Sequence, residues 1–389
     1  MNEIIAIICE YNPFHNGHKY QIDKIKEMYP DSTVLAIMSG NVTQRGEFAL
    51  FDKYSRAKSA VICGVDCVFE LPYPFSASNA EVFAKAGVYL AVQLGATHLC
   101  FGSENENIDY IISVADAIEN VSRDEVLKLK KQDKSISYPK IIEKICGKDG
   151  KIFPHMSNLI LGVEYVRAIR NYGNKIIPIA IKREGFGYND LTVGEKMSAS
   201  AIRKCFFDKG IMVSVPDSIN QFYKELVDNK EYIDNNEIIE FLFRSVLIMS
   251  PEQIENCYDV PSGMGYFICD IASNSNNGKD FFEKLTTKTY TYARLRRVVL
   301  YSILGIKNID TEPAYTILLS SNSKGREHLK VLKKQTVFPI LTKLADYKRM
   351  NEKVIKQFEA SSKADKIFIS FLRNSSKPTD FIKKMPYIL

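Results

Sequence analysis

The chain has no tryptophan, only five histidines among 389 residues, and no apolar run of the ~18 residues that a membrane-spanning helix needs. Glu3 stands where a secretory signal would carry basic residues, and no small-residue cleavage site follows. None of the eight cysteines forms a C-x-x-C pair, so buried reduced thiols are expected rather than a disulfide framework or a zinc site. These absences predict a cytoplasmic protein with no membrane partner.

Positive charge is concentrated in the C-terminal part of the chain. The formal net charge is +6, yet residues 281–349 alone contain fourteen Lys and Arg against five Asp and Glu. The remaining residues are therefore slightly acidic as a group. Such an asymmetry predicts a polyanionic partner for the C-terminal part.

A buried strand and a turn rich in polar residues stand near the N-terminus. The run IIAIIC at residues 4–9 is typical of a strand buried on both faces of a parallel sheet. Pro13 ends it, because proline has no N–H for the ladder. Helical spacing begins after Gly17, so the sequence His-Asn-Gly-His at residues 15–18 lies on a strand-to-helix turn.

This turn is a candidate phosphate site. Ligands bind at the carboxyl ends of strands in open α/β sheets, and free backbone N–H groups at a helix N-terminus attract phosphate. His15 and His18 could donate to phosphate oxygens and stabilise charge as a P–O bond breaks. A chance pair of polar surface residues is the alternative interpretation.

Strands and helices alternate through the first half of the chain. Strands are predicted at residues 4–9, 33–38, 65–71, 97–101 and 175–181, with helices between them and Asn79 as a helix N-cap. This alternation predicts a doubly wound parallel sheet. Past about Phe207 the strand pattern stops and short amphipathic helices follow. The predicted division is an α/β domain at residues 1–207 and a mostly α-helical domain at residues 208–389.

A second candidate phosphate motif follows the fifth predicted strand, with the sequence KMSASAIR at residues 196–203. Ser198 and Ser200 at a helix start, flanked by Lys196 and Arg203, can bind phosphate oxygens. An ordinary Ser-capped helix is the alternative. The two motifs resemble the H-x-G-H and K-M-S-K-S or I-S-S-T-x-x-R motifs of the class I synthetase and nucleotidylyltransferase superfamily, and the pair predicts ATP binding.

Two C-terminal stretches, residues 288–297 and 324–334, are rich in cations, and the first interleaves them with aromatic residues. Such stretches suit nucleic acid, because cations bind the backbone and flat rings stack on bases. A solvated helix face is the alternative. The predicted tRNA-binding residues are Lys288, Tyr290, Tyr292, Arg294, Arg296, Arg297, Lys324 and Arg326.

Residues 1–205 resemble the bacterial tRNA(Met) cytidine acetate ligase family, which has a HIGH-type nucleotidyltransferase, Rossmann-like fold. The resemblance rests on EYNPFHNGH at 10–18, MSG at 38–40, QRGE at 44–47, FELP at 69–72, FGSE at 101–104 and SASAIR at 198–203. The C-terminal half fits more loosely, at residues 288–295 and 324–325. Family members use ATP to activate acetate as acetyl-adenylate, and then acetylate N4 of the wobble cytidine of elongator tRNA(Met).

The resemblance also implies roles for individual residues. His15 and His18 would contact the α-phosphate, and Lys196, Ser198, Ser200 and Arg203 the departing pyrophosphate. Mg²⁺ is expected to bind through the phosphates, and Gln44 and Arg45 are acetate candidates. No acyl-enzyme is expected, since no Cys or Ser nucleophile motif is present. The implied ATP-binding residues are Ile7, Ile8, Cys9, Glu10, Tyr11, Asn12, Pro13, Phe14, His15, Asn16, Gly17, His18, Lys19, Tyr20, Gly102, Asn158 and Arg183.

Three other functions remain open from the sequence. A nucleotidylyltransferase that joins AMP to a small phosphorylated metabolite would use the same His-Asn-Gly-His turn, but would not need the basic C-terminal half. A class I aminoacyl-tRNA synthetase would need more room for insertion and anticodon domains. An RNA-binding protein with a degenerate ATP fold is disfavoured by the intact His15, His18, Ser198 and Arg203.

Overall fold

A computed structural model of the chain describes residues 3–132, 144, 157–183, 197–374 and 377–389. Five parallel strands form the centre of the sheet, in the order β5-β4-β1-β2-β3. They are β1 Ile4–Cys9, β2 Thr33–Ser39, β3 Cys67–Leu71, β4 His98–Ser103 and β5 Ile177–Lys182. The predicted doubly wound sheet is confirmed. Its strand order reverses between β1 and β4, which is the switch point where such sheets bind ligands.

Helices connect these strands and cover the sheet. The described helices of this half are α1 Asn16–Met28, α2 Lys53–Ile62, α3 Ala80–Gln93, α4 Ile108–Glu119, α5 Arg123–Gln132 and α6 Ser157–Asn171. Alternate residues of β1 enter opposite cores, since Ile5 and Ile7 belong to one apolar cluster and Ala6 and Ile8 to the other. This two-sided burial explains why the first strand has no polar position.

The second half of the described chain is mainly helical, as predicted. Its helices are α7 Ala199–Lys209, α8 Asp217–Asp228, α9 Asn235–Val246, α10 Pro251–Glu255, α11 Met264–Ser273, α12 Gly278–Leu285, α13 Tyr292–Leu304, α14 Ser323–Gln335 and α15 Glu352–Ser370. Among the described residues, no helix has both the length and the apolar character that a membrane span requires.

The expectation that strands stop near Phe207 is wrong. Strand β6, Thr316–Ser321, pairs antiparallel with β3 and extends the N-terminal sheet. Two short strands, β7 Ile340–Leu341 and β8 Tyr387–Ile388, in turn pair with β6. A strand that joins a sheet antiparallel needs no crossover helix, so the alternating pattern that identified the first five strands does not precede β6. The division at residue 207 stays a prediction, and the sheet is continuous across it.

Buried cations satisfy polar groups at the carboxyl ends of β1 and β2. Arg56 on α2 is fully buried, and its guanidinium donates to four backbone carbonyls. The acceptors are the carbonyl oxygens of Phe51, Glu10, Ser39 and Gly40. Burial lowers the pKa of Arg56 to about 10, which leaves it cationic at neutral pH.

Lys53, one turn before Arg56, joins the two halves of the chain. Its Nζ lies 2.8 Å from Glu70 Oε2 and 2.7 Å from Asp365 Oδ2 on α15. Burial raises the pKa of the Glu70 carboxyl to about 7, although the Lys53 charge opposes that shift. Asn41 completes the group, because its Nδ2 donates to Asp365 and its Oδ1 accepts from the Lys53 backbone N–H.

We predict that Arg56→Met lowers the free energy of unfolding by about 3 kcal/mol or more. Each buried carbonyl left without a donor costs roughly 1–3 kcal/mol, and Arg56 serves four of them. Urea titration measures the change. Arg244→Met is the matched control, since the side chain of Arg244 is 74% exposed and its loss should cost less than about 0.5 kcal/mol. Equal effects of the two substitutions would contradict the assigned role.

Candidate active site

His15 and His18 cap the first turn of α1 reciprocally. His15 Nδ1 accepts from the Gly17 backbone N–H at 3.0 Å, and His18 Nδ1 accepts from the His15 backbone N–H at 3.3 Å. Their rings are stacked with centroids 3.8 Å apart. Helix caps of this reciprocal form usually pair Ser or Thr with Glu, whereas here imidazoles occupy both positions.

The capping bonds determine which ring nitrogen is available to a ligand. Burial, helped by the charge of Arg183, lowers the pKa of His15 to about 3. Burial also holds the pKa of His18 well below its usual range, with smaller contributions from His15 and Arg183. A neutral imidazole that accepts at Nδ1 carries its proton on Nε2. Each histidine therefore presents an Nε2–H donor without a positive charge of its own.

The backbone of this turn does not have the free N–H groups that the sequence predicted. The N–H groups of residues 15–19 all have acceptors: His18 Nδ1, the Ser214 carbonyl, His15 Nδ1 and, for the last two, the His15 carbonyl. This prediction is wrong because the histidine side chains and a distant loop use those donors. The predicted phosphate contact would therefore depend on the side chains of this turn.

Ser214 brings the two sequence motifs together. Its carbonyl accepts from the Asn16 backbone N–H at 2.9 Å, and its hydroxyl accepts from the Met197 backbone N–H at 3.1 Å. Ser198, which follows Met197, is the N-cap of α7, and its hydroxyl accepts from the Ala201 N–H at 3.3 Å. Ser200 lies in the first turn of α7, whereas Lys196 lies outside the described residues. Nothing in the sequence marks Ser214 as a bridge.

Arg203 contacts the segment just before the His-Asn-Gly-His turn. Its guanidinium donates to the Asn12 carbonyl at 2.7 Å and to Glu47 Oε2 at 2.8 Å. Asn12 is held a second time, since its side-chain oxygen accepts from the Leu50 N–H at 2.8 Å. Contact between Arg203 and pyrophosphate stays a prediction. In the described structure Arg203 binds the segment just before the turn and the loop after β2.

Gly102, Asn158 and Arg183 lie together at the ends of β4 and β5. Arg183 donates to the Asn158 side-chain oxygen at 3.1 Å, and a Cβ on Gly102 would lie 3.1 Å from the Arg183 side chain. Glu104 orients this group, because its carboxylate accepts from Asn158 Nδ2 at 2.7 Å and from the Leu159 N–H at 2.9 Å. Sequence reasoning gave Glu104 no role, although it belongs to the FGSE motif.

Aromatic residues of the predicted ATP stretch support the histidines. The rings of Tyr11 and Phe14 lie 4.7 and 5.5 Å from the ring of His18, measured between centroids. Tyr223 on α8 fixes this stretch, since its hydroxyl accepts from the Phe14 N–H at 3.0 Å. The remaining members of the stretch are buried or half-buried: Ile7, Ile8, Cys9, Glu10, Asn12, Pro13, Asn16, Gly17, Lys19 and Tyr20.

The acetate candidates lie on the loop after β2. The Gln44 backbone N–H donates to Glu10 Oε1 at 2.8 Å, and the Gln44 side-chain amide donates to the Ser78 carbonyl at 2.9 Å. Burial raises the pKa of Glu10. The loop therefore contacts the predicted ATP stretch, but the acetate role of Gln44 and Arg45 stays a prediction.

The arginines of the first predicted tRNA stretch bind protein groups. Arg296 and Arg297 are only 2% and 7% exposed. Arg296 lies 3.3 Å from Glu47 Oε1, and Arg297 donates to the Gln44 carbonyl at 3.1 Å. Arg294 forms an ion pair of 2.8 Å with Asp259. Tyr290 and Tyr292 lie beneath the guanidiniums of Arg294 and Arg296, respectively. A direct tRNA contact would require Arg296 and Arg297 to leave these partners.

The second predicted tRNA stretch combines docked and exposed cations. Lys324 donates to the Asp31 and Ser32 carbonyls at 3.0 and 2.8 Å, and Arg326 donates to the Leu389 carbonyl at 3.1 Å. Exposed lysines continue along α14 and are also present before α13; they are Lys330, Lys333, Lys334 and Lys288.

Comparisons with known proteins agree with this geometry. A family model described as HIGH Nucleotidyl Transferase matches residues 1–381. The tRNA(Met) cytidine acetate ligase of Caldanaerobacter subterraneus subsp. tengcongensis is 37% identical over 366 residues, which cover 89% of this chain and 90% of the relative. That of Oceanobacillus iheyensis is 32% identical over 358 residues, 88% and 89% of the two chains. This chain belongs to the tRNA(Met) cytidine acetate ligase family.

Solved structures give the same result for the fold. TmcAL of Thermotoga maritima bound with alpha-thio ATP is 26% identical and has a TM-score of 0.90. The apo form of the same protein has a TM-score of 0.92. Both alignments cover 100% of this chain and 99% of the Thermotoga chain. The HIGH nucleotidyltransferase fold implied by the two sequence motifs is confirmed.

We predict that His15 makes folding pH-dependent. Since its pKa is about 3 when folded and about 6.5 when unfolded, the unfolded chain binds more protons between these values. The free energy of unfolding therefore falls as the pH drops below about 6.5, by up to about 1.4 kcal/mol per pH unit. His15→Asn, which keeps a capping side chain, should make this slope shallower in urea titrations at pH 6.5 to 4.5.

Asn79→Ser serves as the control for this pH prediction. Asn79 is the N-cap of α3, and its replacement changes a helix cap without changing a titratable group. Its pH slope should equal that of the wild type. The assignment is contradicted if His15→Asn also retains the wild-type slope.

Proposed function

We propose that this chain is an ATP-dependent acetate ligase that acetylates N4 of the wobble cytidine of elongator tRNA(Met). The proposal is supported most directly by the two neutral histidines, which present Nε2–H donors beside Arg183 at the switch point of the sheet. The relatives named tRNA(Met) cytidine acetate ligase support the choice of acetate and tRNA. The Thermotoga protein bound with alpha-thio ATP supports the choice of nucleotide.

The first step forms acetyl-adenylate. An acetate oxygen attacks the α-phosphorus of ATP, the bond between that phosphorus and the bridging oxygen to the β-phosphate breaks, and diphosphate leaves. The donors on His15 and His18 would stabilise negative charge on the α-phosphate oxygens as it builds. Arg183 adds a fixed positive charge near both rings. Positioning and charge stabilisation suffice for such phosphoryl chemistry.

The second step transfers the acetyl group. The N4 amine of cytidine attacks the acetyl carbon, AMP leaves with the former acetate oxygen, and the amine loses one proton. This attack requires the base to be unstacked and held in the active site. The products are N4-acetylcytidine and AMP, and no acyl-enzyme is part of the sequence.

We propose that Mg²⁺ enters with ATP, bound through phosphate oxygens. The described residues contain no group of three or more His, Cys, Asp or Glu side chains arranged to hold a metal ion. The described side chains thus do not make a metal cage, and we assign no catalytic step to one. We place the reaction in the cytoplasm, where its tRNA substrate is made and used.

We predict that His18→Ala reduces acetate-dependent exchange of pyrophosphate into ATP at least about 100-fold, because removal of one preorganised donor costs roughly 10²–10³ in rate. His328→Gln is the control, since His328 lies on α14 and bonds to the Leu94 carbonyl. It should exchange at the wild-type rate. Wild-type exchange in folded His18→Ala would remove His18 from the mechanism.

The function itself is tested by incubating the full chain with ATP, acetate and total tRNA, followed by mass spectrometry of the digested nucleosides. Acetate-dependent AMP release together with N4-acetylcytidine is the expected result. ATP consumption without modified cytidine would instead indicate a nucleotidylyltransferase acting on a small metabolite.

We predict that the exposed face of α14 binds tRNA. Replacement of Lys330, Lys333 and Lys334 by Glu should weaken tRNA binding at fixed salt, because each lost phosphate contact removes counterion release. Acetate-dependent exchange without tRNA should not change. The control replaces the exposed lysines Lys128, Lys224 and Lys353 by Glu, which gives the same net charge on other surfaces. Equal tRNA affinity of the two variants would refute a local binding face.

A further inference from the structure

We propose that Glu47 and Arg203 are positioning residues, which hold the His-Asn-Gly-His turn against helix α13 during adenylate formation. The inference rests on the proposed function, and it assigns Arg203 to the turn rather than to the departing pyrophosphate. It also gives a structural role to Arg296 and Arg297, which lie in the stretch predicted to bind tRNA but are nearly inaccessible.

The contacts form a continuous series from Asn12, which precedes the turn, to helices α13 and α9. Arg203 donates to the Asn12 carbonyl and to Glu47 Oε2 at 2.7 and 2.8 Å. The other oxygen of Glu47 lies 3.3 Å from the Arg296 guanidinium. Arg296 then donates to the Asn235 side-chain oxygen at 2.7 Å. The Glu47 carboxylate thus joins Arg203 of the second candidate phosphate motif to Arg296 of α13.

Further hydrogen bonds hold the loop after β2, which carries Glu47, against α13. Asn235 Nδ2 donates to the Phe48 carbonyl at 2.8 Å, and Arg297 donates to the Gln44 carbonyl at 3.1 Å. Gly46 has φ +73°, and a Cβ there would lie 3.2 Å from the Arg297 backbone nitrogen. The loop backbone is therefore packed directly on the backbone of α13.

The directions of the two Arg203 bonds favour positioning over phosphate binding. One of its terminal nitrogens faces the backbone carbonyl of Asn12, three residues before the turn, and the other faces a carboxylate. The Arg203 side chain is 16% exposed and the Glu47 side chain 23%. Both oxygen groups would repel a phosphate brought to the same nitrogens. A shift of about 1 Å in the turn can cost about 10²-fold in rate. The Glu47–Arg203 ion pair, called the clamp below, would therefore affect the rate of adenylate formation.

The decisive experiment compares Arg203→Lys, Glu47→Gln and the double variant in acetate-dependent pyrophosphate exchange. A positioning pair lowers kcat about 10- to 100-fold in each single variant, with the KM values for ATP and pyrophosphate changed less than about threefold. The double variant should be no slower than the slower single variant, because the two residues act as one unit. A large rise in the KM for pyrophosphate in Arg203→Lys, with Glu47→Gln unaffected, would overturn the inference.

Glu164→Gln is the matched control. It breaks the Glu164–Arg167 ion pair, which has the same 2.8 Å length and similar exposure but lies on α6. Its exchange kinetics should be those of the wild type. A loss of activity equal to that in Glu47→Gln would mean that any broken ion pair slows the enzyme, and would also overturn the inference.

A spectroscopic measurement separates this inference from the proposed function. The Cε1–H resonances of His15 and His18 should shift in Glu47→Gln, because the turn that carries both rings has lost its clamp, and should not shift in Glu164→Gln. Unchanged resonances in Glu47→Gln refute the clamp. If wild-type protein shows no acetate-dependent exchange while the resonances shift, the proposed function fails and the positioning role of Glu47 stands.

Discussion

The carboxyl ends of β1 and β2 carry carbonyl groups that lie in the protein interior, and Arg56 supplies donors to them. A buried carbonyl without a donor costs free energy comparable to that of a lost hydrogen bond, so the loops after these strands can follow their observed paths only with this cation in place. Arg56 bonds to Glu10, Ser39 and Gly40. These bonds position Glu10, from which the chain continues to the His-Asn-Gly-His turn. They also position Ser39 and Gly40, from which the chain continues into the loop after β2 that carries Glu47.

The candidate site is assembled from parts that are distant along the chain. The histidines come from the first strand-helix turn, Ser214 joins that turn to the second motif, and Arg183 approaches from β5. Glu47 then connects Arg203 with Arg296 on α13. Each of these contacts crosses a boundary between segments, so the positions of the two imidazoles depend on segments that are distant along the chain.

Much of the fold and the motif residues could be predicted from the sequence, since a two-sided parallel sheet leaves continuous apolar runs and a phosphate turn requires particular residue types. The acceptor of the Asn16 N–H and the bridge through Ser214 could not, because both depend on contacts between distant segments. Arg296 and Arg297 illustrate a second limit of prediction from the sequence. Arginines among tyrosines are typical of RNA-binding faces and of buried ion pairs alike, and only the burial of these side chains distinguishes the two.

The pairing of Lys53 with two carboxylates has a consequence for synthesis of the chain. Glu70 is made soon after Lys53, whereas Asp365 follows about 300 residues later, a delay of about 15–60 s at ordinary rates of translation. During that interval the nascent sheet also lacks β6, and the edge of β3 has no partner strand. Exposed strand edges invite pairing with other chains. Elements synthesised late therefore both supply a second carboxylate to the buried Lys53 and cover the sheet edge that is vulnerable to aggregation.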